Sequence, residues 1–273
     1  MAISIFGFGQ PVRLLLENNP GATGAYSLRK LSGIYSGPAV RVRRSSDNAE
    51  TDIGFSDKDF NMSAFNAFVG GGTGYVVTFY DQSGNGNHLT QSSASDQHYI
   101  VSSSGLTSTR PHLESVAGRA GGYFKSGFNV SNRTFTFATV MRSTHMYYTS
   151  LLSSTQSPNY SYLTFTTDGI YVSWGNGGGV SQGFTLAGGV EPYLQKLVAA
   201  VRGDGESTRR FYNRGTQNSF GASQSNNTSN ISISGGYGYF IGNWADFIFW
   251  NNTVLTNTQI AAIAAEQIAY YGV

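Results

Sequence analysis

From residue 134 to residue 251 the chain repeats one pattern, short runs of β-branched and aromatic residues set between clusters of Gly, Ser, Asn and Asp. The runs fall at 134–141, 161–166, 169–174, 195–202, 208–213, 231–234, 238–242 and 245–251. Such residues suit a pleated, half-buried surface, and the clusters between them supply turn chemistry. Asp168-Gly169 and Asp204-Gly205 are hairpin signals. Short strands at this spacing predict an all-β sandwich or barrel. Composition agrees. There are 17 Tyr, 18 Phe and 35 Gly, and only 12% of residues are charged, against about 25% in an average soluble protein. The chain is too aromatic to stay disordered and too poor in helix formers for a bundle. No fixed-period repeat points to a propeller or solenoid.

Residues 1–24 read as an N-terminal arm or anchor and residues 25–273 as one domain. Residues 25–31 are predicted as a short helix. Residues 39–43 alternate, with Val40 and Val42 inward and Arg41 and Arg43 outward, which predicts a half-buried strand. Residues 63–69 predict a second short helix capped by Asn61 or Ser63, and residues 75–80 a strand that stops at the turn-rich 81–87. One longer helix closes the chain. Thr256 and Gln259 form a capping-box pair, Ile260, Ile263, Ala264, Ile268 and Tyr271 make an apolar stripe, and Gly272 is the stop.

Net charge is +2 from 17 basic and 15 acidic residues. No basic tract predicts a nucleic-acid surface. Arg41, Arg43 and Arg44 lie close to Asp47, Glu50 and Asp52 and are expected to neutralise one another. With no Cys, disulfides, thiolate metal sites and thiol catalysis are excluded. No run of about 18 apolar residues predicts a membrane span. The N-terminus lacks a basic stretch followed by a long apolar core, so synthesis and folding in a cytoplasm are expected.

Glycoside hydrolysis needs two carboxyl groups facing one sugar. Beyond residue 110 the candidates are Glu114, Asp168, Glu191, Asp204, Glu206, Asp246 and Glu266, and no pair among them stands out by spacing. Asp81, Ser83 and Asn85 read as a structural loop in which Asp and Asn bond backbone amides. Calcium held by the Asp81 loop is the alternative, and no other cofactor is expected. The four His show no metal-ligand spacing. Tyr160, Trp174, Tyr237, Tyr239 and Trp244, near Gly, Ser and Asn, are candidates for stacking on a glycan; the alternative for the tryptophans is the sandwich core. Ile5, Phe6, Phe8, Leu14 and Leu15 make the arm apolar enough to expect a partner or self-association.

Three segments carry a resemblance. They are 25–54, with Ser36-Gly-Pro-Ala-Val-Arg-Val-Arg43 at its centre, then Thr78-Phe-Tyr-Asp-Gln-Ser-Gly-Asn-Gly-Asn-His-Leu-Thr-Gln91, and 242–256 with the helix that follows. The first two resemble the opening of the catalytic domain of family-54 α-L-arabinofuranosidases, and also a group of bacteriophage virion proteins. The third resembles the ending of laminin-G-like, concanavalin-A-like jelly rolls. The fold implied is a two-sheet antiparallel jelly roll with a short C-terminal helix. The glycosidase family uses a vicinal Cys pair in its sugar pocket, which this chain lacks. The expectation is therefore a non-catalytic phage virion structural protein, a capsid decoration or tail-fibre component. It would reside in the virion, contact other virion proteins and its own copies, and bind host-surface glycan. The alternative is a glycoside hydrolase similar to α-L-arabinofuranosidase acting on a polysaccharide.

Overall fold

The computed structural model describes residues 13–102, 105–107, 109–115, 124–130, 134–144, 149–154, 162–165, 170–173, 182–184, 197–204, 208–221, 229–233 and 241–273. A one-turn helix α1 (Leu15–Asn18) leads into strand β1 (Gly24–Ser27). There follow β2 (Val40–Arg44), β3 (Glu50–Ile53), the small hairpin β4 (Phe55–Ser56) and β5 (Asp59–Phe60), and helix α2 (Met62–Val69). Next come β6 (Gly74–Phe79), β7 (Leu89–Thr90), β8 (Tyr99–Val101), β9 (His112–Glu114) and β10 (Phe124–Val130). The long stretch that follows holds β11 (Thr134–Ser143), β12 (Thr149–Ser154), β13 (Tyr162–Phe165), β14 (Ile170–Ser173), β15 (Gln182–Phe184), β16 (Leu197–Asp204), β17 (Thr208–Asn213), β18 (Thr216–Gly221) and β19 (Ser229–Ile233). Strand β20 (Gly242–Asn251) and helix α3 (Asn257–Tyr271) come last.

Every ladder among the described strands is antiparallel; apart from the β4–β5 hairpin they form two runs, joined at one corner by β8, which pairs with both β6 and β9. In one, β1 and β9 lie along β20, which pairs with β11, then β16, β17 and β18. In the other, β3, β2, β6 and β7 continue through β10 and β19 to β12, β13, β14 and β15. Val40, Val42, Val76 and Phe79 of the second run meet Phe135, Phe137, Phe247 and Phe249 of the first in one buried cluster. Two sheets closing on a shared apolar core make a jelly-roll-like β-sandwich with a short C-terminal helix, the predicted fold. The Asp168-Gly169 signal falls between β13 and β14, and Asp204-Gly205 begins at the last residue of β16 and leads toward β17, each an antiparallel pair.

The first sheet is covered on its other face too. Ala25, Ala138, Ala200, Ile248 and Trp250 pack there with Leu15 of α1 and Ile260 and Ile263 of α3. Nine of the ten residues of β20 are therefore buried. Thr139 opposes Phe247 but Met141 opposes Trp244, so β20 carries one extra residue at that point. At this bulge Ala245 and Asp246 share the helix side and Trp244 returns to the inter-sheet core.

The helix expected over 25–31 does not form. Residues 24–27 pair with β20, and the loop that follows is satisfied by the Gln82 side-chain amide. Gln82 Nε2 donates to Ser27 O and Arg29 O, and Gln82 Oε1 accepts from Leu31 N. Helix α3 forms as the sequence predicts, with the reciprocal Thr256–Gln259 cap and Gly272 in the left-handed region. One stripe position differs, because Gln267 is buried beside Ile260, Ile263, Ala264 and Tyr271.

Candidate functional site

The loop between β6 and β7 is organised by one buried carboxylate. Asp81, 1% exposed, accepts from Ala25 N at 2.9 Å, Ser83 N at 2.9 Å, Ser83 Oγ at 2.7 Å and Asn87 N at 3.0 Å. Four donors fill the acceptor sites of a carboxylate. Gly84 and Gly86, at φ +87° and +73°, give the loop the left-handed turns it needs for these amides to converge. Asn85 Nδ2 donates to Ala22 O and Asn87 Nδ2 to Thr23 O. The loop is thus tied to the segment between α1 and β1. Of the three loop residues singled out in the sequence, Asp81 is interior, while Ser83 and Asn85 reach the surface.

That surface borders an open cavity of about 680 Å³, lined by Ser83, Asn85 and Asn87 together with Glu17 and Ile34. Glu17 is held by three donors, Leu14 N, Ser32 Oγ and Gly33 N. Ile34 is 91% exposed. Glu17 does not announce itself in the sequence, since a lone Glu in an apolar stretch gives no signal.

The largest buried charge lies elsewhere. Arg29 reaches Asp246 at 2.8 Å and Glu266 at 2.7 Å. Asp246 also accepts from Ser27 Oγ, Gln267 Nε2 and Tyr271 Oη. Burial raises the Asp246 carboxyl, but the Arg29 charge and these hydrogen bonds outweigh it and hold the group below the ordinary range. Burial and the Asp246 charge push the Tyr271 phenol well up. Tyr270 lies between the Arg29 and Arg110 guanidiniums, 4.8 and 4.3 Å from its ring centre, and donates to Asp59. This cluster pins α3 to the first sheet. Asp246, an acid candidate in the sequence, is 0% exposed and cannot meet a substrate.

The remaining described carboxylates are mostly committed as well. Asp52 pairs with Arg41, Asp47 with Arg44 and Asp59 with Arg110; Glu114 accepts from Tyr99 and Asn243. Arg43 bonds Gln97 and Asn48. Among the described residues no group of three or more His, Asp or Glu gathers as for a metal ion. Side chains 168, 191, 204 and 206 lie outside the described residues, as do Tyr160, Trp174, Tyr237, Tyr239, Ile5, Phe6 and Phe8. Trp244 is withdrawn as a glycan candidate. It is fully buried against Phe79, and its Nε1 donates to His98 Nδ1 at 2.9 Å. Leu15 of the expected arm is buried in the chain's own core, and Leu14 caps α1.

Comparison with known proteins adds an independent finding. The profile of a family described as "Alpha-L-arabinofuranosidase B, catalytic" matches residues 16–114. An α-L-arabinofuranosidase of Hypocrea jecorina is 47% identical over 64 residues, 23% of this chain and 13% of that protein. An α-L-arabinofuranosidase B of Penicillium canescens is 40% identical over 74 residues, 26% of this chain and 16% of that protein. The aligned stretch is thus only a small part of these relatives' length. The solved structure of a mutant GH54 α-L-arabinofuranosidase, soaked with 4-nitrophenyl α-L-arabinofuranoside, superposes with a TM-score of 0.66 at 15% identity. The superposition covers 94% of this chain and 64% of that one. At that identity the likeness establishes the fold. These findings overturn the expectation of a phage virion structural protein, whether capsid decoration or tail fibre, and the virion location that went with it. The relatives matched are fungal arabinofuranosidases. The likeness over residues 16–114 stands in a chain without Cys. The N-terminal region of the chain matches the catalytic domain of α-L-arabinofuranosidase B.

Proposed function

We propose that this chain is a glycoside hydrolase that removes α-L-arabinofuranosyl groups from a polysaccharide. The observation that carries the reading is the match of residues 16–114 to the arabinofuranosidase catalytic profile. The matched residues supply β2, β6 and the Asp81 loop, one wall of the sandwich core. The chemistry needs an acid and a second carboxylate, about 5–5.5 Å apart for retention or about 6.5–9.5 Å for inversion. Asp81 and Asp246 are buried and saturated, and Asp47, Asp52 and Asp59 are tied to arginines. Of the other acids beyond residue 110, Glu114 is held by Tyr99 and Asn243 and Glu266 by Arg29, so the reading looks for its pair first among Asp168, Glu191, Asp204 and Glu206.

The test is release of 4-nitrophenol from 4-nitrophenyl α-L-arabinofuranoside by the purified chain. Asp168→Asn, Glu191→Gln, Asp204→Asn and Glu206→Gln are assayed beside it. Two of the four are expected to lose about 10²–10⁴-fold in rate, the size of a general acid–base contribution. No release by the unsubstituted chain at mildly acidic to neutral pH overturns the proposal.

A further inference from the structure

The walls of the cavity beside the Asp81 loop are prepared before anything binds. The amide nitrogens of Asn85 and Asn87 are spent on the carbonyls of residues 22 and 23. Each amide oxygen, on the other branch of its group, is left as an acceptor. Both side chains are set by a loop whose centre is the buried Asp81, so their orientation is fixed before anything binds. The Glu17 carboxylate is held in place by Leu14 N, Ser32 Oγ and Gly33 N. Among the described residues no Lys or Arg lines the space, and the Glu17 carboxylate does, which disfavours an anion as ligand. Pro20 and Ile34 form an apolar lip, and Ile34 is 91% exposed, one of two large apolar side chains left in solvent among the described residues. Fixed acceptors beside an apolar edge suit a molecule with hydroxyl donors around its rim and C–H bonds on its face. A sugar ring has that chemistry, and a volume of about 680 Å³ lies within the usual range of small-ligand sites.

We infer that this cavity is a carbohydrate-binding subsite, separate from the centre of bond cleavage, that holds a neutral pentose segment of the polysaccharide. The choice of a pentose rests on the proposed activity; the preference for a neutral, hydroxyl-rich ring rests on the cavity alone. Ile34 lies against the ring face, and Asn85 and Asn87 Oδ1 accept from its hydroxyls.

The experiment is calorimetric titration of the full chain with a linear arabino-oligosaccharide and a xylo-oligosaccharide, repeated with Ile34→Ser and with Asn87→Ala. Ile34 is solvent-exposed, so Ile34→Ser is expected to keep the same unfolding midpoint. Affinity for at least one oligosaccharide is expected to fall about tenfold in Ile34→Ser, the loss of one good contact. Cleavage of 4-nitrophenyl α-L-arabinofuranoside, which carries one sugar, is expected to stay unchanged. Unchanged affinity in both variants overturns the subsite even if the chain is an active hydrolase. Binding that depends on Ile34 in a chain without hydrolase activity upholds the subsite while the proposed activity fails. Binding that appears only after deletion of residues 1–12 assigns the cavity to the chain's own lead segment and overturns the inference.

Discussion

Asp246 stays ionised without any exposure because Arg29 lies against it and three further side chains donate to it. Removing one partner of a buried ion pair leaves the other uncompensated, which costs about 3–5 kcal/mol. Asp246→Asn is expected to lose that much in urea unfolding at neutral pH. The folded-state pKa of Asp246 is depressed, so its contribution is complete above the ordinary carboxylate value of about 3.9 and is lost as pH falls through the depressed value. Stability of the unsubstituted chain is thus expected to fall below about pH 4, and part of that fall is expected to be missing in Asp246→Asn. Asp81 acts by a different route, through backbone amides. Asp81→Ala strands buried N–H groups and is expected to cost about 3 kcal/mol. Amide exchange at Ala25, Ser83 and Asn87 is expected to rise in that variant. The exposed pairs are another matter. Arg44 holds the Asp47 carboxyl down to about 2, but an exposed pair of this kind adds little to folding.

At the scale of elements, what the sequence reveals depends on how locally each one is determined. Helix α3 is legible because its cap, stripe and stop are close neighbours in the chain, at Thr256, Ile260–Tyr271 and Gly272. Strand β2 is legible because Val40 and Val42 alternate with Arg41 and Arg43. Strand β1 is not. Its residues, Gly24–Ser27, are buried on both faces, so they show no alternation, and their partner β20 lies near the other end of the sequence. Asp246 falls on the face opposite Phe247 and Phe249, as alternation places it, but what covers that face, Arg29 and helix α3, comes from elsewhere in the chain, so its burial was not legible. Gln267 lies on the stripe by helical period, seven residues after Ile260, and was missed because it is polar; Asp246 accepts from its Nε2 and makes its burial tolerable. The candidate site was legible only at its loop, where the Asp81–Asn87 turn residues announce themselves; Glu17 and Ile34 join it through tertiary contact. A prediction belongs here too. Thr256→Ala removes the α3 cap and is expected to cost about 1 kcal/mol, read as a lower thermal midpoint with the far-ultraviolet spectrum retained at room temperature.

For the molecule as a whole, the decisive feature is where β20 sits. It is the last of the described strands in sequence, yet it lies inside the first sheet, with β1 and β9 along one side and β11 along the other. Its side chains Phe247 and Phe249 help join the two sheets, while Ile248 and Trp250 carry the helices. A chain cut after residue 241 lacks that centre. It is expected to show no cooperative unfolding transition, while the full chain shows one. Such non-local pairing also slows folding, so refolding from urea is expected on the millisecond-to-second scale or slower. In the cell, synthesis at about 5–20 residues per second leaves the earlier strands waiting until β20 itself has been made. The keystone is delivered after the arch has been raised, so truncated products would have apolar sheet faces uncovered.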